Sequence, residues 1–161
     1  MSRFDNEVRI TPSVLDRLLD DRPGETREAP ANRQTSLRLL KAAVKRDLEW
    51  LLNTRANPEG APEGLTEVGR SLAVYGLPDF TTATIKNPDD RNRLRRAVED
   101  AVRTFEPRLE GVEVTLVAES ELERAVQFRI DARLKVDPAP EPVIFDTTLQ
   151  LTSGEFRVKG E

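Results

Sequence analysis

The sequence predicts an α+β fold, with helices first and an antiparallel sheet second, and two observations predict it. Apolar residues recur at helical spacing up to Phe105, and from Val112 onward they recur at every second position. The gaps between the alternating stretches are short. That suits a meander of three to four strands, because parallel strands need long crossovers. Such a sheet has one solvated face, so the helices are expected to pack on its one apolar face.

At the N-terminus, "ITPSVLDRLLDD" places Thr11 as the expected N-cap and Pro12 at the first helical position. Val14, Leu15, Leu18 and Leu19 then mark one apolar face of a short helix. Asp21 to Gln34 contains prolines, is charged and has no periodicity, and reads as a mobile linker. Residues 1–34 are therefore set apart as a short helix and linker, and 35–161 as a single domain.

A second helix is expected from about Thr35 to Asn53. Leu37, Leu40, Val44, Leu48 and Leu51 fall on one stripe, while Leu39, Ala43 and Trp50 cluster on the other side. A second stripe means either a helix sandwiched inside the domain or one exposed to a partner. Burial is the commoner use, so Trp50 is expected in the core. "TRANPEGAPEGLTE" is a loop, and "YGLPDF" a turn. There Gly76 can take a positive φ, and Leu77 is pushed out of the helical region by Pro78.

"KNPDDRNRLRRAVEDAVRTFEP" is the clearest helix. Asn87 caps it, Pro88 opens it, and Asp89 and Asp90 complement its dipole. Leu94, Ala97, Val98, Ala101, Val102 and Phe105 form its apolar stripe, and Pro107 lies just past its end. Then Val112, Val114, Leu116 and Ala118 share a strand face. So do Val126, Phe128, Ile130, Ala132, Leu134 and Val136, and then Val143, Phe145, Thr147, Leu149 and Leu151. Ser153-Gly154 turns the chain into "EFRV".

Composition narrows the chemistry. The chain of 161 residues has no histidine, no cysteine and a net charge of -4. Without histidine there is no Ser–His or Cys–His pair, no near-neutral general base and no imidazole metal ligand. Without cysteine there is no thiol catalysis or zinc–thiolate site, and a reducing compartment is expected. The negative charge offers no global attraction for nucleic acid or an anionic membrane. "MSRFDNEVRI" lacks the apolar run of a signal peptide, and no apolar stretch is long enough to span a bilayer. A cytoplasmic protein without cofactor or metal is expected.

Two clusters invite a functional reading. Glu106, Pro107 and Arg108 sit where the helical period stops and the strand period starts. They are either a site or punctuation. Glycosidic hydrolysis would need a second carboxyl roughly 5–10 Å away in a cleft, and none is marked as a partner. "RNRLRR", Arg91 to Arg96, is the densest basic run. Glu99 and Asp100 follow Arg95 and Arg96 at the spacing of ordinary surface pairs, so a solvated helix face is expected.

Six stretches in order carry a resemblance: "TPSVLDRLLDD", "VKRDLEWLLNTR", "SLAVYGLPDF", "FEPRLEGVEV", "FRIDARL" and "EPVIFDTTLQLTSGEFRV". Together they resemble the TssE family of type VI secretion baseplate subunits, within the lysozyme-like wedge proteins of contractile phage tails. The resemblance covers nearly the whole chain. It implies a non-enzymatic structural subunit that joins a wedge with TssF and TssG near TssK and helps start the TssB–TssC sheath. It also implies that Glu106, Pro107 and Arg108 match the family's Glu-Pro-Arg motif and serve assembly by contacting a partner. Tyr75, Gly76, Leu77, Pro78 and Asp79 match a second motif, which is a partner contact or a structural turn. The competing readings are a cell-wall glycan hydrolase and a regulatory protein-binding module of the same fold.

Overall fold

The computed structural model describes residues 10–19, 24, 32–80, 87–120 and 125–160. Their element order is helix α1 (Val14–Leu18), helix α2 (Arg33–Asn53), two single 3-10 turns (Val68–Arg70 and Leu72–Val74) and helix α3 (Pro88–Phe105). Four strands follow: β1 (Leu109–Ser120), β2 (Ala125–Leu134), β3 (Glu141–Gln150) and β4 (Glu155–Gly160). The strands form one antiparallel sheet in the order β1-β2-β3-β4. This is the α+β architecture expected, with the sheet at four strands. "MSRFDNEVR" and most of the expected linker lie outside the described residues.

The helix starts follow from caps. α3 begins as read from the sequence: the Asn87 side chain accepts from the Asp89 N–H, and Pro88 opens the first turn. α2 begins two residues before Thr35, because the Asn32 side chain accepts the Thr35 N–H at 2.8 Å. The end of the expected linker is therefore helix. α1 begins after Ser13, not Thr11. Ser13 Oγ accepts the Asp16 N–H, and the Asp16 carboxylate accepts the Ser13 N–H, a reciprocal box that outweighs Pro12 as a start signal.

The sheet buries one face against α2 and α3. Val44, Leu48 and Leu51 of α2 and Leu94, Val98 and Val102 of α3 meet Phe128, Ile130 and Phe145. Burying each large side chain contributes about 1.5–3 kcal/mol. The second stripe of α2 is not sandwiched. Ala43 is buried, but Leu39 and Trp50 are exposed, Trp50 at 51%. The sheet covers one side of the helix only, and the Trp50 ring is covered instead by the Arg46 guanidinium, 4.9 Å from its centroid.

The alternation along β1 is broken at both ends. Gly111, with φ +62°, sits at a register shift between Glu110 and Glu113. The bulge lets Leu109 and Val112, three residues apart, both face the core. A second shift lies between Leu116 and Ala118, beside exposed Val117.

Both outer edges carry side-chain caps. On β1, the Val112 carbonyl accepts from Arg103 Nε and Nη2 at 3.1 and 2.6 Å. The Val114 carbonyl accepts from Arg95 Nη1 at 3.2 Å, and its N–H donates to Glu99 Oε2 at 3.3 Å. On β4, the Phe156 N–H donates to Asn53 Oδ1 at 2.8 Å, and its carbonyl accepts from Asn53 Nδ2 at 2.9 Å.

Candidate functional site

α3 ends at Phe105, and Glu106 is its C-cap, with its N–H donating to the Val102 carbonyl. The chain then needs only Pro107 and Arg108 before β1. Its turn is closed by the Leu109 N–H donating to the Glu106 carbonyl and the Lys135 N–H donating to the Arg108 carbonyl. This short joint drives the Glu106 side chain inward, and the residue is 4% exposed. A buried carboxylate is costly unless it is paired and hydrogen-bonded.

Arg108 supplies both. Its Nε donates to Glu106 Oε1 at 2.6 Å and its Nη2 to Glu106 Oε2 at 2.5 Å, a two-pronged pair between residues two apart. The Arg108 N–H adds a third donor to Glu106 Oε1 at 3.2 Å. The same Nη2 also reaches Asp47 Oδ2 of α2 at 2.6 Å. The hydrogen bond with Glu106 is the main reason the Arg108 guanidinium is held above its usual range. Burial opposes it, and Asp47 adds to it.

The charges continue outward in alternation. Arg46 donates from Nε and Nη2 to Asp47 Oδ1 at 2.9 and 2.7 Å, and from Nη2 to Asp16 Oδ1 of α1 at 2.9 Å. One chain of ion pairs therefore runs Glu106–Arg108–Asp47–Arg46–Asp16 and ties the helix–strand joint to α2 and α1. Burial works to raise the Asp16 carboxyl, but the bonds from Ser13 and Arg46 outweigh it and hold the group below its usual range. Burial works against Arg46 too, and the bonds to Asp47 and Asp16 leave it raised.

Pro107 is exposed on the outside of this knot, and its carbonyl accepts from Lys135 Nζ at 2.8 Å. Of the second motif, Tyr75 comes closest to the joint. Its ring meets Phe105 edge-on at 5.1 Å. Burial, then the Asp47 and Glu106 charges, raise its phenol. The rest of that motif is a docked turn on the end of α2. The Leu77 N–H donates to the Thr54 carbonyl, and the Ala56 N–H donates to the Leu77 carbonyl. Gly76 has φ +116°, and a Cβ there would lie 2.4 Å from the Thr54 carbonyl oxygen. Leu77 is buried, Pro78 is exposed, and Asp79 Oδ2 pairs with Arg55 Nη1 at 3.0 Å.

Asp47 is the participant that sequence reasoning missed. It lies inside "VKRDLEW", three residues after Val44 and four before Leu51. An acid on the rim of an apolar stripe was the available signal. The basic run is in part the solvated face expected, with Arg93 and Arg96 exposed, and departs from it at Arg95. Arg95 pairs with Glu99 at 2.7 Å, but so does Arg103, and all three reach the β1 backbone rather than solvent alone.

Chemically, the knot is a saturated ion-pair network. Both Glu106 oxygens are held by a guanidinium, and the next carboxylate along the ion pairs, Asp47, is bridged to it through that same guanidinium. Among the described residues no group of three or more acidic side chains could hold a metal ion. No helix there is long and apolar enough to cross a membrane.

Residues 38–139 match the family model described as baseplate wedge protein gp25. The match takes in Asp47, the Tyr75–Asp79 turn and the Glu106–Arg108 joint. No curated protein matches the chain.

Proposed function

The chain belongs to the baseplate wedge protein gp25 family, and from that premise we propose that it is the TssE-type subunit of a type VI secretion baseplate. It joins the wedge with TssF and TssG, close to TssK, and offers a sheet edge on which the first TssB–TssC sheath ring starts. The family match over more than half the chain carries this reading. The ion-pair knot supports it, because a baseplate subunit needs a rigid joint and Glu106 and Arg108 provide one. In this reading Glu106 and Arg108 set the shape of the joint, and exposed Pro107 presents it to the wedge. Work of this kind belongs in the cytoplasm and requires no cofactor.

The test is a pull-down on purified TssF–TssG, comparing wild type with a Glu106→Ala/Arg108→Ala variant whose fold is checked by circular dichroism. Wild type is expected to bind and the folded variant to lose at least tenfold in affinity. Equal binding by both would move the joint's role away from the wedge. Failure of wild type to bind would overturn the secretion-baseplate reading. A turbidity assay on peptidoglycan separates the hydrolase alternative, and no clearing is expected.

A further inference from the structure

The sheet has two outer edges, and they are not equivalent. On β1 the Val112 carbonyl and the Val114 carbonyl and N–H are held by Arg103, Arg95 and Glu99 of α3, at 2.6 to 3.3 Å. Glu99 joins the two arginines through 2.7 Å ion pairs, so the three side chains act as one clasp. One register shift, between Glu110 and Glu113, contains Val112, and a second follows Leu116. An incoming strand needs a regular row of free N–H and C=O groups, and bulges and capping groups remove it.

β4 is different. Phe156 opposes Leu149, Val158 opposes Thr147 and Gly160 opposes Phe145, with no register shift. Phe156 turns its N–H and carbonyl away from β3 to Asn53. By the period of two, Val158 and Gly160 point theirs the same way. No described residue bonds those groups. On the solvent face of this edge stand Arg157 and Lys159, both exposed. Arg157 has Glu155 at 3.8 Å, and Lys159 has no ion-pair partner among the described residues. Two copies of β4 paired antiparallel about Val158 would set Arg157 against Lys159 twice. Like charges directly opposite are destabilising, so the edge disfavours a second copy of itself.

We propose that the Arg95–Glu99–Arg103 clasp closes the β1 edge to strand addition. The β4 edge beyond Asn53 then accepts an extended segment of a partner protein with carboxylates at the two positions flanking Val158. Main-chain bonds at Val158 and Gly160 give this contact its affinity, and the acid pattern sets its register. The proposal rests on the sheath-starting reading above and names the edge and the partner chemistry.

The chain itself supplies a probe. A variant carrying both Arg157→Glu and Lys159→Glu has an acidic β4, and the substitutions lie on exposed positions. Wild type alone and the double variant alone are expected to sediment as monomers. Their equimolar mixture is expected to form a one-to-one dimer, with affinity at least roughly tenfold above either self-association. Amide exchange should slow at Val158 in the mixture and stay unchanged at Val114. A mixture that remains monomeric overturns the β4 assignment. For the clasp, Arg95→Ala/Arg103→Ala, checked for fold by circular dichroism, should speed Val114 amide exchange at least tenfold and allow self-association. Unchanged Val114 exchange, measured in wild type as well, overturns the clasp. Co-sedimentation of wild type with TssB–TssC reports on the sheath reading separately. If the mixed dimer forms and the sheath proteins do not bind, the edge assignment stands and the sheath role falls.

Discussion

Glu106 is a buried acid whose neutralising group lies two residues away. Breaking a buried pair by removing one partner costs about 3–5 kcal/mol when the survivor is left uncompensated. Arg108 keeps Asp47 and is partly exposed, so the cost here is smaller. Glu106→Ala is expected to destabilise the protein by about 2–3 kcal/mol, read as a lower midpoint in urea with unchanged slope. A change within 0.5 kcal/mol would mean that the knot is a surface feature. Thr147 presents the opposite case. It is 1% exposed between Phe128 and Val158, and its hydroxyl has no hydrogen-bond partner. An unpaired buried hydroxyl costs about 1–3 kcal/mol, and valine has nearly the same shape. Thr147→Val should therefore raise stability by about 1 kcal/mol. A loss of stability would reveal a bond to the hydroxyl.

At the scale of elements, α1 is docked inside out. Asp16, on its inner side, bonds Arg46, while Val14 and Leu18, half a turn away, are 72% and 76% exposed. No residue of the helix is buried. Its attachment is therefore electrostatic and should fail in acid. The Asp16 carboxyl is held below its unfolded value. The stability it adds is present above roughly pH 4, the unfolded value, and is lost as pH falls through the folded one. Trp50 reports the event, because the Arg46 that covers its ring is the residue Asp16 holds. Half exposed, Trp50 should emit at the long wavelengths of a solvated indole at pH 7. Its emission should change as pH falls below about 4 in wild type, and less in Asp16→Asn. Coincident curves for the two proteins would sink the tether.

The same elements show what periodicity can and cannot reveal. α3 was legible to its caps because Asn87, Pro88 and the apolar stripe all agree. The β2 and β3 faces were legible because one side of the sheet is solvated. The fate of Trp50 was not. A second apolar stripe has the same spacing whether a layer covers it or not, and the sequence holds no count of layers. Asp47 was hidden for a related reason. Its partner Arg108 lies at the α3–β1 joint, and a contact across 61 residues leaves no local pattern. The β1 clasp was hidden too, since i,i+4 pairs read alike whether they face water or a strand edge.

For the whole molecule, these attachments separate two levels of stability. The sheet with α2 and α3 shares one buried core, and α1 adds nothing to it. The joint and both sheet edges hang on that core through polar side chains, and the Tyr75–Asp79 turn through buried Leu77 and backbone bonds at the end of α2. Deleting residues 1–31 should therefore leave the cooperative unit intact. Among the described residues, what is lost is the Asp16–Arg46 bond, and partly exposed pairs contribute about 0.2–1 kcal/mol. For a chain of this size that corresponds to a fall of at most roughly 4 °C in Tm. A single thermal transition of nearly unchanged midpoint, with the far-ultraviolet strand signal retained, is the expected result. A drop well beyond that, or a second transition, would show that the N-terminal region is part of the core after all. The ion-pair chain would then have to be treated as one unit from Asp16 to Glu106.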